Sequence, residues 1–182
     1  MNYLKSILNE MGGVLGKVDE ASISKFADII EKGKRVFVVG EGRSGLMAKS
    51  FAMRLMHLGA TVYVVGETIT PAIGKGDVIV AVSGSGTTKN VVMVAQKAGE
   101  LECPVLVVTT NPKSELGNIA SFIIHVPAAT KYRREGEPAS IQPLGSLFDQ
   151  CAHIVFDAIC LKYYSKKSED DNGALARHSN LE

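Results

Sequence analysis

Apolar residues fall at helical spacing twice near the amino terminus, first at Tyr3, Ile7, Leu8, Met11 and Leu15 and then at Ile23, Phe26, Ile29 and Ile30, before Gly33 stops the second run. The period then changes. Val36-Phe37-Val38-Val39 is a short, wholly apolar run entering a glycine-rich turn at Gly40, and a helix follows from about Leu46 to Leu58. Four more runs, Thr61 to Val65, Val78 to Val82, Val105 to Thr109 and Phe122 to Val126, are nearly all apolar and rich in valine and isoleucine. Strands without polar alternation are covered on both faces. The pattern therefore predicts an α/β fold, a three-layer sandwich with a five-stranded parallel sheet flanked by helices.

Residues 127 to 142 are polar and irregular, which predicts a surface loop near the functional site, and Pro143 is suited to the first position of a long helix. In that helix Leu144, Leu147, Phe148, Cys151, Ile154, Val155, Ala158 and Ile159 make one stripe, and Ala152, Phe156 and Cys160 widen it. So broad an apolar face favours burial on more than one side and predicts a homo-oligomer. From Ser165 to Asn172 the chain turns charged and reads as a solvated linker. The 182 residues suit one domain, with the amino-terminal helices in residues 1–33 and a tail from 165 to 182.

Composition narrows the classes. A hydrophobic fraction of 46% with 21% charged residues is ordinary for a globular chain, and a net charge of +1 gives no long-range field for nucleic acid or an acidic membrane. Met1-Asn2-Tyr3-Leu4-Lys5 lacks the features of a secretory signal and no segment is long enough to cross a bilayer, so a cytoplasmic protein is expected. Cys103, Cys151 and Cys160 lie in apolar surroundings without metal-ligand spacing and read as buried free thiols.

Ligands of open parallel sheets bind beyond the carboxyl ends of the strands, so the turns after the first and third strands matter most. The first, Gly40-Glu41-Gly42-Arg43-Ser44-Gly45, fits G-x-G-x-x-G, and Glu67 after the second strand lies where a dinucleotide fold would hold ribose hydroxyls. The second, Ser83-Gly84-Ser85-Gly86-Thr87-Thr88, is richer in hydroxyls than a nicotinamide domain needs. Its glycines let backbone amides converge on an anion, and its hydroxyls add donors, so a compact phosphate fits it. Lys89 opens the next helix, where a cation opposes the dipole unless an anion is bound nearby. Arg43 and Ser44 could reach the same ligand, although Arg43 reads equally as a solvated loop residue.

These residues resemble a known family. The order helix, helix, strand, Gly-x-Gly-Arg-Ser-Gly, strand, Ser-Gly-Ser-Gly-Thr-Thr is similar to sugar isomerase (SIS) domains over nearly the whole chain. Gly42 to His57, Ile141-Gln142-Pro143-Leu144-Gly145-Ser146-Leu147-Phe148 and the terminal His178-Ser179-Asn180-Leu181-Glu182 resemble the 6-phospho-3-hexuloisomerase branch. The resemblance implies interconversion of D-arabino-hex-3-ulose 6-phosphate and D-fructose 6-phosphate, a step of the ribulose monophosphate pathway that serves formaldehyde fixation or, in reverse, pentose synthesis. It also implies a homotetramer, phosphate binding by Ser83, Ser85 and Thr88 with intervening amides, and a sugar contact from Ser44.

Moving a carbonyl from C3 to C2 needs a base, an enediol and return of a proton, for which a carboxylate in a dry pocket is suited and no metal or organic cofactor is required. Asp149 is the first candidate, because the resembling family places a carboxylate, more usually Glu, after Gly-Ser-Leu-Phe. The other reading is a solvated acid in a first helical turn. Glu182 and His178 are alternatives if the tail folds over a neighbouring subunit's site. His57, near a helix end before Gly59, reads as structural, and Glu41 and Glu67 could line the pocket without an assigned role. Two other functions stay open: a nicotinamide-dependent oxidoreductase, for which the chain lacks a substrate domain, and a non-catalytic sugar-phosphate sensor, for which it lacks an effector module.

Overall fold

Side-chain caps start the first two helices: Asn2 accepts the amide of Lys5 ahead of α1 (Tyr3–Leu15), and Asp19 accepts those of Ala21 and Ser22 ahead of α2 (Glu20–Lys32). A computed structural model describes residues 2–167 and 171–181. After α2 come β1 (Val36–Gly40), α3 (Gly42–His57), β2 (Val62–Val64), β3 (Val78–Val82), α4 (Lys89–Glu100), β4 (Val105–Thr109), α5 (Glu115–Ile119), β5 (Phe122–His125), α6 (Ser146–Tyr164) and α7 (Asp171–Ala176). The five strands form one parallel sheet in the order β2-β1-β3-β4-β5.

Alternation along the strands divides the core in two. Val36 and Val38 of β1 and Val80 of β3 face a cluster with α1, α2, α3 and α6, whereas Phe37, Val39, Ile79 and Ala81 face a second cluster with α4 and α5. This is the three-layer sandwich that the apolar strand runs imply. Because β2 and β3 lie on opposite sides of β1, the turns leaving β1 and β3 flank the crevice where such a sheet reverses direction.

The first glycine-rich loop is shorter than its sequence suggests. Helix α3 begins at Gly42, four positions before the expected start at Leu46, so the motif is mostly the helix's first turn. Its outer glycines serve packing: a Cβ on Gly45 would stand 2.6 Å from the Gly40 carbonyl oxygen. The end of β1 and the start of α3 touch through backbone alone.

Helix α6 also departs from expectation, since it starts at Ser146 and not at Pro143. Leu144 adopts φ +55 and is exposed, a left-handed turn that interrupts the chain between the proline and the helix. The broad apolar surface of α6 is largely covered within the chain. It packs on α1, α2 and α3, with Phe156 stacked on Phe51 of α3 at 4.5 Å. The width of that face therefore does not by itself require a second subunit, although Ile154 and Leu161 stay exposed.

Two further elements lack a clear sequence signal. The five-residue α5 was not anticipated. The stretch read as a linker from Ser165 to Asn172 contains the start of α7; residues 168–170 lie outside the described residues. All three cysteines are buried and free, and burial pushes the Cys151 thiol up to about 11 and that of Cys160 to about 12. No helix of the described residues is long and apolar enough to cross a membrane.

Gly45→Ala tests the close approach of β1 and α3. The added methyl would push α3 off the sheet, and chemical denaturation should show a loss of about 1–3 kcal/mol, the usual range for an overpacked contact.

Candidate functional site

A cleft of about 150 Å³ opens at the carboxyl end of the sheet. The turns after β1 and β3 form two of its sides, through Glu41, Ser44, Ser83, Gly84, Ser85 and Thr88. The start of α6 adds Phe148 and Asp149, and the loop after β5 adds Thr130, Lys131 and Tyr132.

The Ser83–Thr88 loop is held by its own hydroxyls. Ser83, buried at the end of β3, shares a hydrogen bond of 2.8 Å with Thr88 through their hydroxyl oxygens, and its Oγ also accepts the Gly86 amide at 3.1 Å. Ser85 Oγ accepts the amide and the hydroxyl of Thr87 at 3.2 and 3.1 Å. Gly86 has φ +68, and a Cβ there would meet Ser114 Oγ at 1.9 Å, so conformation and space both require glycine. The amides of Gly84, Ser85 and Thr88 have no acceptor among the described residues. Beside the amino terminus of the 12-residue α4, these donors suit an anion. Thr87 is exposed and Gly86 is packed against Ser114, so neither lines the cleft.

Opposite this loop, the first turns of α3 and α6 meet. Ser44 donates its hydroxyl to Asp149 Oδ1 at 2.8 Å, Arg43 Nε lies 3.4 Å from Asp149 Oδ2, and Arg43 Nη1 donates to Ser146 Oγ at 2.7 Å. Asp149 is only 5% exposed. Loss of water at this position raises its pKa above the usual carboxylate range, and the Ser44 hydrogen bond and the Arg43 charge offset only part of that shift. Arg43 is thus directed at the carboxylate and outside the cleft lining.

Two acids of open role now have positions. Glu41 lines the cleft and accepts from Asn90 Nδ2 at 2.5 Å, while Glu67 pairs with Lys49 at 2.7 Å on the exposed surface outside it. The placement of Glu67 gives the dinucleotide reading no support. Among the described residues no three His, Cys, Asp or Glu side chains gather closely enough to hold a metal ion.

His178 lies elsewhere in the chain. Its ring stacks on His57 at 5.1 Å, at the carboxyl end of α3, whereas Ser44 is in the first turn of that helix, and sixteen residues span about 24 Å. Arg177 beside it donates to the His57 carbonyl at 3.1 Å, which fixes this part of the tail to the end of α3. Burial, and then the neighbouring His178 and Arg54, lower the His57 pKa. Glu182 lies outside the described residues.

Thr130, Lys131 and Tyr132 were not identified individually by sequence reasoning. The cations Lys131, Arg133 and Arg134 crowded into a loop after a strand end were the available signal. The loop is tied at two points. Glu137 accepts the amide and hydroxyl of Thr130 at 2.8 and 2.7 Å. Glu10 of α1 accepts from Ser140, the Ile141 amide and Gln142 at 2.8, 2.7 and 3.2 Å. Desolvation alone would raise the Glu10 pKa, but these bonds together with the nearby charge of Arg133 bring it down.

Comparison with known proteins gives the family. The SIS domain matches residues 29–153. A Bacillus subtilis protein named 3-hexulose-6-phosphate isomerase is 42% identical, over 99% of this chain and 97% of its own length. A Mycobacterium gastri protein of the same name is 40% identical, over 100% of this chain and 90% of its own. A crystal structure of a Methanococcus jannaschii protein, from which a molecular function of 3-hexulose-6-phosphate isomerase was inferred, superposes with a TM-score of 0.86 at 30% identity, covering 100% of both chains. With the family matching across β1 to the first half of α6, and with both loops of the cleft inside the match, this chain belongs to the SIS domain family.

Proposed function

We infer that this chain is an isomerase interconverting D-arabino-hex-3-ulose 6-phosphate and D-fructose 6-phosphate through an enediol. Its relatives of that name align over nearly its full length. The observation that carries the mechanism is a buried carboxylate, Asp149, on the wall of a cleft whose other side is the donor-rich Ser83–Thr88 turn.

In this mechanism the phosphate sits on the hydroxyls of Ser83, Ser85 and Thr88 and on the open amides of Gly84, Ser85 and Thr88. Binding energy from the unreactive end of the sugar then fixes C2 and C3 near Asp149. Asp149 removes the proton from C2 of the hex-3-ulose, the C2–C3 enediol forms as the C3 oxygen gains a proton, and collapse of the enediol leaves the carbonyl at C2. Asp149, whose acquired proton exchanges with solvent during the lifetime of the enediol, then delivers a proton to C3 as the C2 hydroxyl loses its own. A carboxylate that exchanges a proton twice in one turnover benefits from a pKa moved toward neutrality, and burial moves that of Asp149 in this direction. Ser44 fixes the carboxylate's orientation through Oδ1.

The reading extends to a cytoplasmic homotetramer working in the ribulose monophosphate pathway, where the interconversion serves formaldehyde fixation in one direction and pentose synthesis in the other. In such an assembly His178 and Glu182 of a neighbouring copy could complete the cleft. Residues 1–182 act as one SIS unit in this reading, since α1 and α2 pack on α6.

Asp149→Asn should lower kcat by about 10²–10⁴, the usual contribution of a general acid–base group, in an assay coupled to fructose 6-phosphate formation, while Asp149→Glu should retain turnover. The kcat/KM of the wild type should fall on the acid side with a pKa above the usual 3.9 of an aspartate. The same shift affects stability. A carboxyl group whose pKa is raised by folding destabilises the fold above that raised pKa, where it is ionised, and ceases to do so below about pH 3.9, where it is protonated in both states. Asp149→Asn should therefore be at least as stable as the wild type at pH 7 by thermal unfolding, and that relative advantage should shrink toward pH 4. A neutral variant markedly less stable at pH 7 would contradict the buried, charge-disfavouring environment.

A further inference from the structure

Charge in the cleft does not favour a phosphate ester as strongly as its hydrogen-bond donors do. The lining contains two carboxylates, Glu41 and Asp149, and a phosphate monoester adds a charge of about −1.5 to −2 at neutral pH. The Ser83–Thr88 turn offers amides, hydroxyls and the partial charge of a helix end, but no full positive charge. Arg43 does not fill this gap, because its guanidinium is directed at Asp149 and Ser146. Lys89 is exposed at the start of α4 and stands outside the lining. The cation that lines the cleft is Lys131.

Resting on the sugar-phosphate reading, we propose that Lys131 is the phosphate's counter-charge and that the loop after β5 exists in part to deliver it. Its backbone is well placed for this. The preceding residue, Thr130, is 3% exposed and is held at both its amide and hydroxyl by Glu137, and the far end of the loop is fastened by three donors to Glu10. The Lys131 side chain is exposed. It makes no ion pair among the described residues, and its ammonium rests 5.0 Å from the centre of the Tyr132 ring, a weak contact at an exposed site. Moving to a phosphate therefore breaks no salt bridge. Tyr132 also carries Arg134 over its ring at 5.0 Å, so the tyrosine acts as a rest for the loop's cations.

The test compares wild type with Lys131→Met, Lys131→Arg and Lys17→Met, the last removing one charge from the turn between α1 and α2. KM for fructose 6-phosphate and the dissociation constant of inorganic phosphate, measured by calorimetry at fixed ionic strength, are read for each. Lys131→Met should weaken both at least tenfold with kcat changed less than threefold. Lys131→Arg should recover both to within threefold of wild type, and Lys17→Met should match wild type. Unchanged phosphate affinity in folded Lys131→Met overturns the proposal, as does an equal loss in Lys17→Met. Because phosphate binding needs no turnover, a protein that binds phosphate in a Lys131-dependent way without isomerising sugar phosphates upholds the lysine assignment while defeating the isomerase reading.

Discussion

A carboxylate kept from water where two helices begin is the constraint around which the site is arranged. Asp149 in the first turn of α6 is buried, and the loss of water there outweighs the Ser44 hydrogen bond and the Arg43 charge that α3 brings to it. Two contacts hold α3 close: the Phe51–Phe156 stack along the helix pair, and the glycine contact next to Ser44 that lets the start of α3 rest on the end of β1. From these follow the reach of Ser44 to Oδ1 and the position of Arg43 beside Oδ2. The opposite wall, the Ser83–Thr88 turn, depends on the same sheet through the pairing of β1 with β3. Both halves of the proposed reaction, anchoring and proton transfer, are thus set by one short stretch of strand ends.

Much of this was legible in the chain. The unbroken valine and isoleucine runs gave the parallel sheet because covered strands need no polar face, and the Ser-Gly-Ser-Gly-Thr-Thr turn stood out as a hydroxyl-rich loop beyond a strand end, where it lines the cleft. Where the reading failed, the deciding factor was tertiary. Pro143 looked like a helix start, yet Leu144 takes a left-handed turn and places the start at Ser146. The wide apolar face of α6 does not need a partner subunit to explain it, since α1, α2 and α3 cover most of it. Arg43 looked available to a phosphate, and only the approach of α6 shows that it has a carboxylate to face. Lys131 was one of several cations in an irregular loop, and its position on the cleft depends on anchors at Glu137 and, more than a hundred residues away, Glu10.

The two ends of α3 have different characters. At its amino end it presents Ser44 to the cleft and Arg43 to the Asp149 carboxylate, and at its carboxyl end it receives Arg177 and His178 of the tail. A tail seated there serves its own chain as a cap on α3, since Arg177 satisfies the His57 carbonyl that the helix leaves open.

The central claim, that Asp149 transfers a carbon-bound proton of a phosphate-anchored ketose, is tested most directly by hydrogen exchange. Fructose 6-phosphate incubated with the protein in heavy water should acquire deuterium at C3, seen by NMR as loss of that proton's signal, alongside a hex-3-ulose phosphate labelled at C2. With Asp149→Asn both should vanish while the sugar phosphate still binds. Exchange by the variant at the wild-type rate would contradict the assignment of the base, and interconversion by the wild type with a proton always retained from the substrate would argue against a solvent-exchanging enediol route.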